Sequence, residues 1–106
     1  LLINLAQLLN DLCIPNSFVA RYGGEEFSIV LMDYSVQEII QFAENVRLAV
    51  EEQKYEQSSN STNITISIGV SSTENHSFVH KEELVKRADQ ALYASKSNGK
   101  NQVTFL

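Results

Sequence analysis

Gly23-Gly24-Glu25-Glu26 is the stretch of this chain whose residue types most clearly suggest chemistry. Paired glycines let a backbone turn through positive φ and come close to a ligand. The two carboxylates that follow are hard oxygen donors. Mg²⁺ takes donors of that kind, one or two from protein and the rest from water and substrate phosphates. The tetrapeptide therefore suits metal-assisted work on a phosphate, and it equally suits a plain hairpin turn with solvated acids. Lys96 and Lys100, four apart at a helix end, can converge on one phosphate cluster. Lys96 also fits as a cation that complements the helix C-terminal dipole. Arg21 either reaches a phosphate or pairs with a nearby acid. His76 and His80 stand four apart in a polar stretch, without the carboxylates that would complete a metal site.

The elements that must position these residues follow from periodicity. Leu2, Leu5, Leu9 and Leu12 mark an amphipathic helix that ends before Pro15, because the residue ahead of a proline is pushed out of the helical region. No cap precedes Leu1, so this helix is expected to continue from a segment outside the chain. Residues 18–21 and 27–32 read as two strands of a hairpin with the glycines and glutamates at its tip. The second run is nearly continuously apolar and only six residues long, which favours a buried strand over a helix. Ser35 and Glu38 form a capping box that opens a helix with Ile39, Ala43, Val46 and Val50 on one face. Residues 57–63 are all polar and read as a mobile loop. Ile64, Ile66, Ile68 and Val70 alternate with polar or small residues, the pattern of a strand with one buried face. Leu84, Ala88 and Leu92 mark a third helix with Tyr93 and Leu92 in the core, Lys96 in its last turn and Gly99 as its C-terminal cap. Residues 103–105 form a last short strand. The order predicts an α+β fold, helices covering a mixed sheet.

Composition bounds the rest. The 106 residues allow one domain, and 43% hydrophobic with 20% charged residues is ordinary for a globular chain. No run of apolar residues is long enough to span a bilayer, so no membrane contact is expected of this domain. A lone cysteine, Cys13, cannot make an internal disulfide and fits a reducing, cytoplasmic setting. A net charge of −5 argues against a phosphate-tracking nucleic-acid surface. Five of the eight basic residues nevertheless fall after position 80, which allows a local positive patch. The Asn-x-Ser/Thr triplets at Asn60, Asn63 and Asn75 are chance matches in such a setting.

Four stretches in order carry a family resemblance: Arg21-Tyr22-Gly23-Gly24-Glu25-Glu26-Phe27, Ser67-Ile68-Gly69-Val70, Ala88-Asp89-Gln90-Ala91-Leu92-Tyr93 and Lys96-Ser97-Asn98-Gly99-Lys100-Asn101. Together the chain resembles the C-terminal two-thirds of a GGDEF domain, the diguanylate cyclase family, in its GGEEF form. The resemblance implies a ferredoxin-like fold similar to the palm of adenylyl cyclases and polymerases. It implies condensation of two GTP into cyclic di-GMP with release of pyrophosphate, with Mg²⁺ or Mn²⁺ as cofactor. Two GTP-loaded domains meet in a homodimer, with upstream sensory or regulatory domains driving the encounter. By the same likeness Gly23 and Gly24 approach the GTP phosphates, and Glu25 is metal ligand and catalytic acid residue. Glu26 supports the site, and Lys96 and Lys100 grip the terminal phosphates. The rival reading is a catalytically inactive member that senses GTP or regulates an attached phosphodiesterase domain. A third is an interaction domain without nucleotide.

The chain departs from the family pattern in three places. Lys100 stands where an arginine is usual, which keeps the charge and loses the two-pronged fork. The Arg-x-x-Asp motif that holds product is replaced by Ile14-Pro15-Asn16-Ser17, so no product inhibition through that position is expected. The family's first strand, with an aspartate metal ligand, and its guanine-reading residues precede the region represented here. The 106 residues alone are therefore expected to lack cyclase activity, and the strand at residues 27–32 is expected to show an uncovered apolar edge.

Overall fold

The computed structural model describes residues 2–21, 27–52, 54–57, 60–74 and 81–106, which divide into two compact units, Leu1–Tyr34 and Ser35–Leu106. The α+β class is as expected. Among the described residues the strands form three two-stranded sheets, two antiparallel and one parallel.

The first unit is a helix and a hairpin. Helix α1, Leu2–Leu12, buries Leu5 and Leu9 while Gln7, Asn10 and Asp11 face solvent. It stops short of Pro15, and Asn16 at φ 60° turns the chain into β1, Ser17–Arg21. Asparagine enters that left-handed region more readily than most residues. Strand β1 pairs antiparallel with β2, Phe27–Leu31, from Ser17 opposite Leu31 to Arg21 opposite Phe27. The Met32 N–H donates to the Asn16 carbonyl at 2.9 Å and closes the open end. β2 differs from expectation. Phe27, Ile29 and Leu31 are half-buried while Ser28 and Val30 are exposed, and Val30 and Met32 keep 40% and 49% of their surface. A two-stranded ribbon backed by one helix has a single face to bury, so even a nearly continuous apolar run alternates in burial.

The second unit begins with the capping box. The Ser35 hydroxyl accepts from the Glu38 N–H at 3.2 Å, and the Glu38 carboxylate accepts from the Ser35 N–H at 2.9 Å. The helix it opens, α2, Val36–Glu52, buries Phe42, Ala43, Val46 and Val50. The polar stretch read as a loop is instead a hairpin: β3, Lys54–Gln57, pairs antiparallel with β4, Asn60–Asn63. Ladder hydrogen bonds need no apolar side chains, and a strand pair built on them leaves no alternation to detect. Strand β5 is shorter than the isoleucine pattern predicts, Ile68–Val70 only. Its partner β6, Val103–Phe105, offers three residues of parallel ladder, and Ile64 and Ile66 lie half-buried ahead of it without a strand partner among the described residues. Helix α3, Lys81–Ser97, connects the two parallel strands as a βαβ unit. Both α2 and α3 pack on the β5–β6 pair, around Val50, Val70 and Ala91. Among the described residues no helix is long and apolar enough to cross a membrane.

Candidate functional site

The hairpin of the first unit frames the acidic segment. The last described ladder pair, Arg21 opposite Phe27, brings the two ends of residues 22–26 side by side at the end of an antiparallel ribbon. Gly23, Gly24, Glu25 and Glu26 themselves lie outside the described residues, as do His76 and His80. Their candidacy rests on residue type, on the frame that holds their segment and on the family resemblance. As donors, two adjacent carboxylates fit Mg²⁺ or Mn²⁺ by charge and hardness. Among the described residues no group of three or more histidine, cysteine or acidic side chains is placed to hold a metal ion.

At the opposite end of that hairpin the Ile14–Ser17 turn is closed on itself. The Ser17 hydroxyl donates to the Ile14 carbonyl, so the polar atom nearest the absent acidic position is already committed. Pro15 and Asn16 are exposed and uncharged.

The two lysines are carried by the second unit, at the end of α3. That helix has Glu82 and Glu83 in its first turn and Lys96 in its last, each complementing the local end of the dipole. Gly99 caps it at φ 118°, and the Lys100 N–H donates back to the Ser95 carbonyl at 2.9 Å. This is the six-to-one bond of a Schellman ending, with glycine at the left-handed position. Lys96 and Lys100 are both exposed, so their ammonium groups are open to an anion from solvent.

Helix α3 is seated by three features. A Cβ on Gly69 would lie 2.1 Å from the Leu92 nitrogen and 2.3 Å from the Ala88 carbonyl oxygen, both backbone atoms of α3. The glycine of the Ser-Ile-Gly-Val stretch is therefore the point where strand and helix backbones touch. One residue before Lys96, the fully buried Ser95 hydroxyl bonds the Ile68 carbonyl at 2.8 Å and meets the Thr104 hydroxyl at 2.6 Å. The Ser71 hydroxyl donates to the Leu84 carbonyl at 2.7 Å nearer the helix start. Ser95 was not singled out by the sequence reading. The available signal was a hydroxyl continuing the apolar stripe of Leu84, Ala88 and Ala91.

Two assignments change. Tyr93, read as core, is 74% exposed, because α3 packs through Ala88, Ala91, Leu92 and Ser95 and residue 93 points off that stripe. Asn101, the last residue of the Lys96–Asn101 motif, is half-buried and bonded to α2. Its Oδ1 accepts from Arg47 Nη1 at 2.9 Å and its Nδ2 donates to the Glu51 carboxylate at 2.5 Å. Arg47 also donates through Nε to Glu44 at 3.0 Å and through Nη1 to Glu51 at 3.2 Å. Its hydrogen bond holds the Glu44 carboxyl below its ordinary value against the opposing effect of burial, and raises the guanidinium in turn.

Comparison with known proteins bears on the family and the fold. Over 86 residues the chain is 46% identical to diguanylate cyclase A of Treponema denticola, covering 81% of this chain and 23% of that protein. The structure is similar to the active GGEEF domain of a diguanylate cyclase from Vibrio cholerae, with a TM-score of 0.89 and 34% identity, over 98% of this chain and 65% of that one. It is also similar to the coiled coil and GGDEF domain of DgcB from Caulobacter crescentus in complex with c-di-GMP. There the TM-score is 0.85 and the identity 28%, over 99% of this chain and 56% of that one. The chain thus spans about a quarter of the length of that curated relative and up to about two-thirds of these solved chains. Residues 1–102 match the family described as diguanylate cyclase, GGDEF domain, and with the ordered motifs and the palm-like α+β fold this makes the chain a member of the GGDEF family.

Proposed function

We propose that this chain is the C-terminal part of a working diguanylate cyclase domain, which joins two GTP molecules into cyclic di-GMP. In each half-reaction the 3′-hydroxyl of one GTP attacks the α-phosphorus of the other. The bond to the β-phosphate breaks, pyrophosphate leaves and the hydroxyl proton is given up. The observation that carries the reading is the intact Gly23-Gly24-Glu25-Glu26 sequence between two strands held in register at Arg21 and Phe27. Paired strands on both sides fix where that sequence leaves and rejoins the sheet, and rigid elements flanking a site favour its precision.

Phosphoryl transfer asks a protein chiefly for positioning and for neutralisation of developing charge. Glu25 holds the divalent cation and favours loss of the 3′-hydroxyl proton, while Glu26 supports the same site. Mg²⁺, when bound, supplies Lewis-acid stabilisation of the phosphate charge. Gly23 and Gly24 leave room for the phosphates against the backbone. Lys96 and Lys100 neutralise the terminal phosphates as the pyrophosphate departs. Since each domain carries one GTP, the reaction needs a homodimer, and domains outside these residues, like the coiled coil joined to the DgcB domain, would bring two copies together. A GTP substrate places the domain in the cytoplasm. The uncharged Ile14–Ser17 turn offers product no salt link, so the enzyme runs without feedback at that position.

The test uses the protein as the cell makes it, incubated with GTP and Mg²⁺ and resolved by ion-pair chromatography. Cyclic di-GMP and pyrophosphate in a one-to-two ratio support the proposal. GTP that stays intact while bound turns the reading to a nucleotide sensor.

A further inference from the structure

Lys100 stands in an unusual backbone. Gly99, Lys100 and Asn101 follow one another at φ 118°, 64° and 48°. Glycine adopts such angles freely, but lysine does so only where surrounding contacts hold it. Those contacts are present on every side of the turn. The Lys100 N–H donates to the Ser95 carbonyl at 2.9 Å, and the Lys100 carbonyl accepts from Gln102 Nε2 at 3.1 Å. The same Gln102 amide donates to the Asn98 carbonyl at 3.0 Å. The Asn101 N–H donates to the Ser67 hydroxyl at 3.2 Å, ahead of β5. Both backbone polar groups of Lys100 are thus satisfied within the turn, while its side chain is exposed.

The Asn101 side chain is the link from this turn to α2. It sits between a donor and an acceptor, Arg47 Nη1 and the Glu51 carboxylate, and only one orientation of the amide satisfies both. Glu51 accepts from Arg47 as well, so the three side chains close a triangle. The Arg47 side chain retains 14% of its surface, and its remaining nitrogens are taken by Glu44. A half-buried ring of charge-assisted hydrogen bonds is a stiff anchor.

We infer that Asn101 is a positioning residue: clamped between Arg47 and Glu51 and tied to Ser67, it holds the left-handed turn that aims Lys100 at the terminal phosphates of the nucleotide. The inference rests on the phosphate-gripping role proposed above for Lys100. A lysine makes this clamp more necessary than an arginine would. A point charge without a planar fork gains its selectivity for one phosphate from where its backbone is fixed. The residues that matter are drawn from α2, from the segment before β5 and from the turn after α3, three parts of the chain with no short-range relation in sequence.

The test is a double-mutant cycle on the protein as the cell makes it, with affinities for GTP, used as its α,β-methylene analogue that cannot release pyrophosphate, and for GMP measured by calorimetry in Mg²⁺ and folding checked by circular dichroism. Lys100→Ala is expected to weaken GTP on the order of tenfold and to leave GMP, which lacks terminal phosphates, unchanged. Asn101→Ala is expected to reproduce most of that loss with the same indifference to GMP. The double variant is expected to bind GTP no more weakly than Lys100→Ala alone, because Asn101 acts through Lys100. If Asn101→Ala does not fold, Ser67→Ala, which removes only the hydroxyl under the Asn101 N–H, carries the same expectation at smaller size. Additive losses in the double variant, or equal losses for GTP and GMP, overturn the inference. Wild-type GTP affinity in Asn101→Ala, with Lys100→Ala impaired, overturns the clamp alone. Wild-type affinity in Lys100→Ala overturns the phosphate role and the clamp with it.

Discussion

Replacing Gly69 by alanine adds one methyl group at the contact between β5 and α3. The new carbon would meet Leu92 N at 2.1 Å, Ala88 O at 2.3 Å and Leu92 Cα at 2.7 Å, all backbone atoms that no rotamer change can move aside. Ordinary contact between such atoms begins near 3.4 Å, so helix and strand must separate by more than about 1 Å. That displacement stretches the Ser95 bond to the Ile68 carbonyl, now 2.8 Å, beyond hydrogen-bonding range. Overpacking of this kind costs about 1–3 kcal/mol, and stranding the fully buried Ser95 hydroxyl adds roughly 1–2. A total of about 2–5 kcal/mol is a large share of the ~5–15 kcal/mol that holds a domain together. For a chain of this size it lowers Tm by at least ~8 °C. Gly99→Ala is the control. Its added carbon meets only a side-chain nitrogen at 3.7 Å, so the cost is confined to φ 118° and comes to about 1 kcal/mol. Thermal melts by far-ultraviolet circular dichroism read both. If Gly69→Ala melts within 2–3 °C of wild type, a range near the noise of such melts, the close strand–helix contact is wrong.

Ser95→Ala removes both hydroxyl contacts and is expected to lower stability by about 1–2 kcal/mol in urea titration, with an unchanged m-value. Adding Thr104→Val should cost less than the sum of the two single changes, because the hydroxyls meet each other. The Glu44 carboxyl lies below its ordinary value of 4.5, so the stability it contributes is complete above that pH and fades as pH falls through the lowered value. With Glu44 39% exposed the contribution is a few tenths of a kcal/mol, read as a small fall in urea midpoint below pH about 4.5 that Glu44→Gln abolishes. Titration with cyclic di-GMP is expected to give no heat that depends on residues 14–17. Tight binding lost on changing Ile14 or Ser17 would refute the reading of that turn.

Much of the fold was legible because its signals are local. Ser35 and Glu38 sit three apart, and both capping bonds formed. Gly99 marked the end of α3 because only a residue tolerant of left-handed φ closes a helix that way. The leucine stripe of α1 and the apolar face of α2 were read from a 3.6-residue period. What escaped depends on contacts distant in sequence. The β3–β4 hairpin carries no alternation of apolar residues, so its pairing left no trace. The isoleucine run from 64 to 70 overstated β5, whose length is set by a three-residue partner more than thirty positions away. Tyr93 reads as core by type but is exposed because of which stripe α3 turns inward. The candidate site divides the same way. Lys96 and Lys100 are candidates by family resemblance, with charge and spacing in support, whereas Ser95, Ser67 and the Arg47–Glu51–Asn101 triangle exist only once strands and helices have packed.

The central claim is that the segment closed by Arg21 and Phe27 presents acidic oxygens to a divalent cation carrying GTP. Glu25→Gln keeps the shape of that side chain and removes its charge. The deciding measurement is the initial rate of cyclic di-GMP formation from GTP and Mg²⁺ by the protein as the cell makes it, wild type against Glu25→Gln. The account predicts product from the wild type and a loss of at least ~100-fold in the variant, the scale at which an essential general base or metal ligand acts. Equal rates in the two proteins would contradict it.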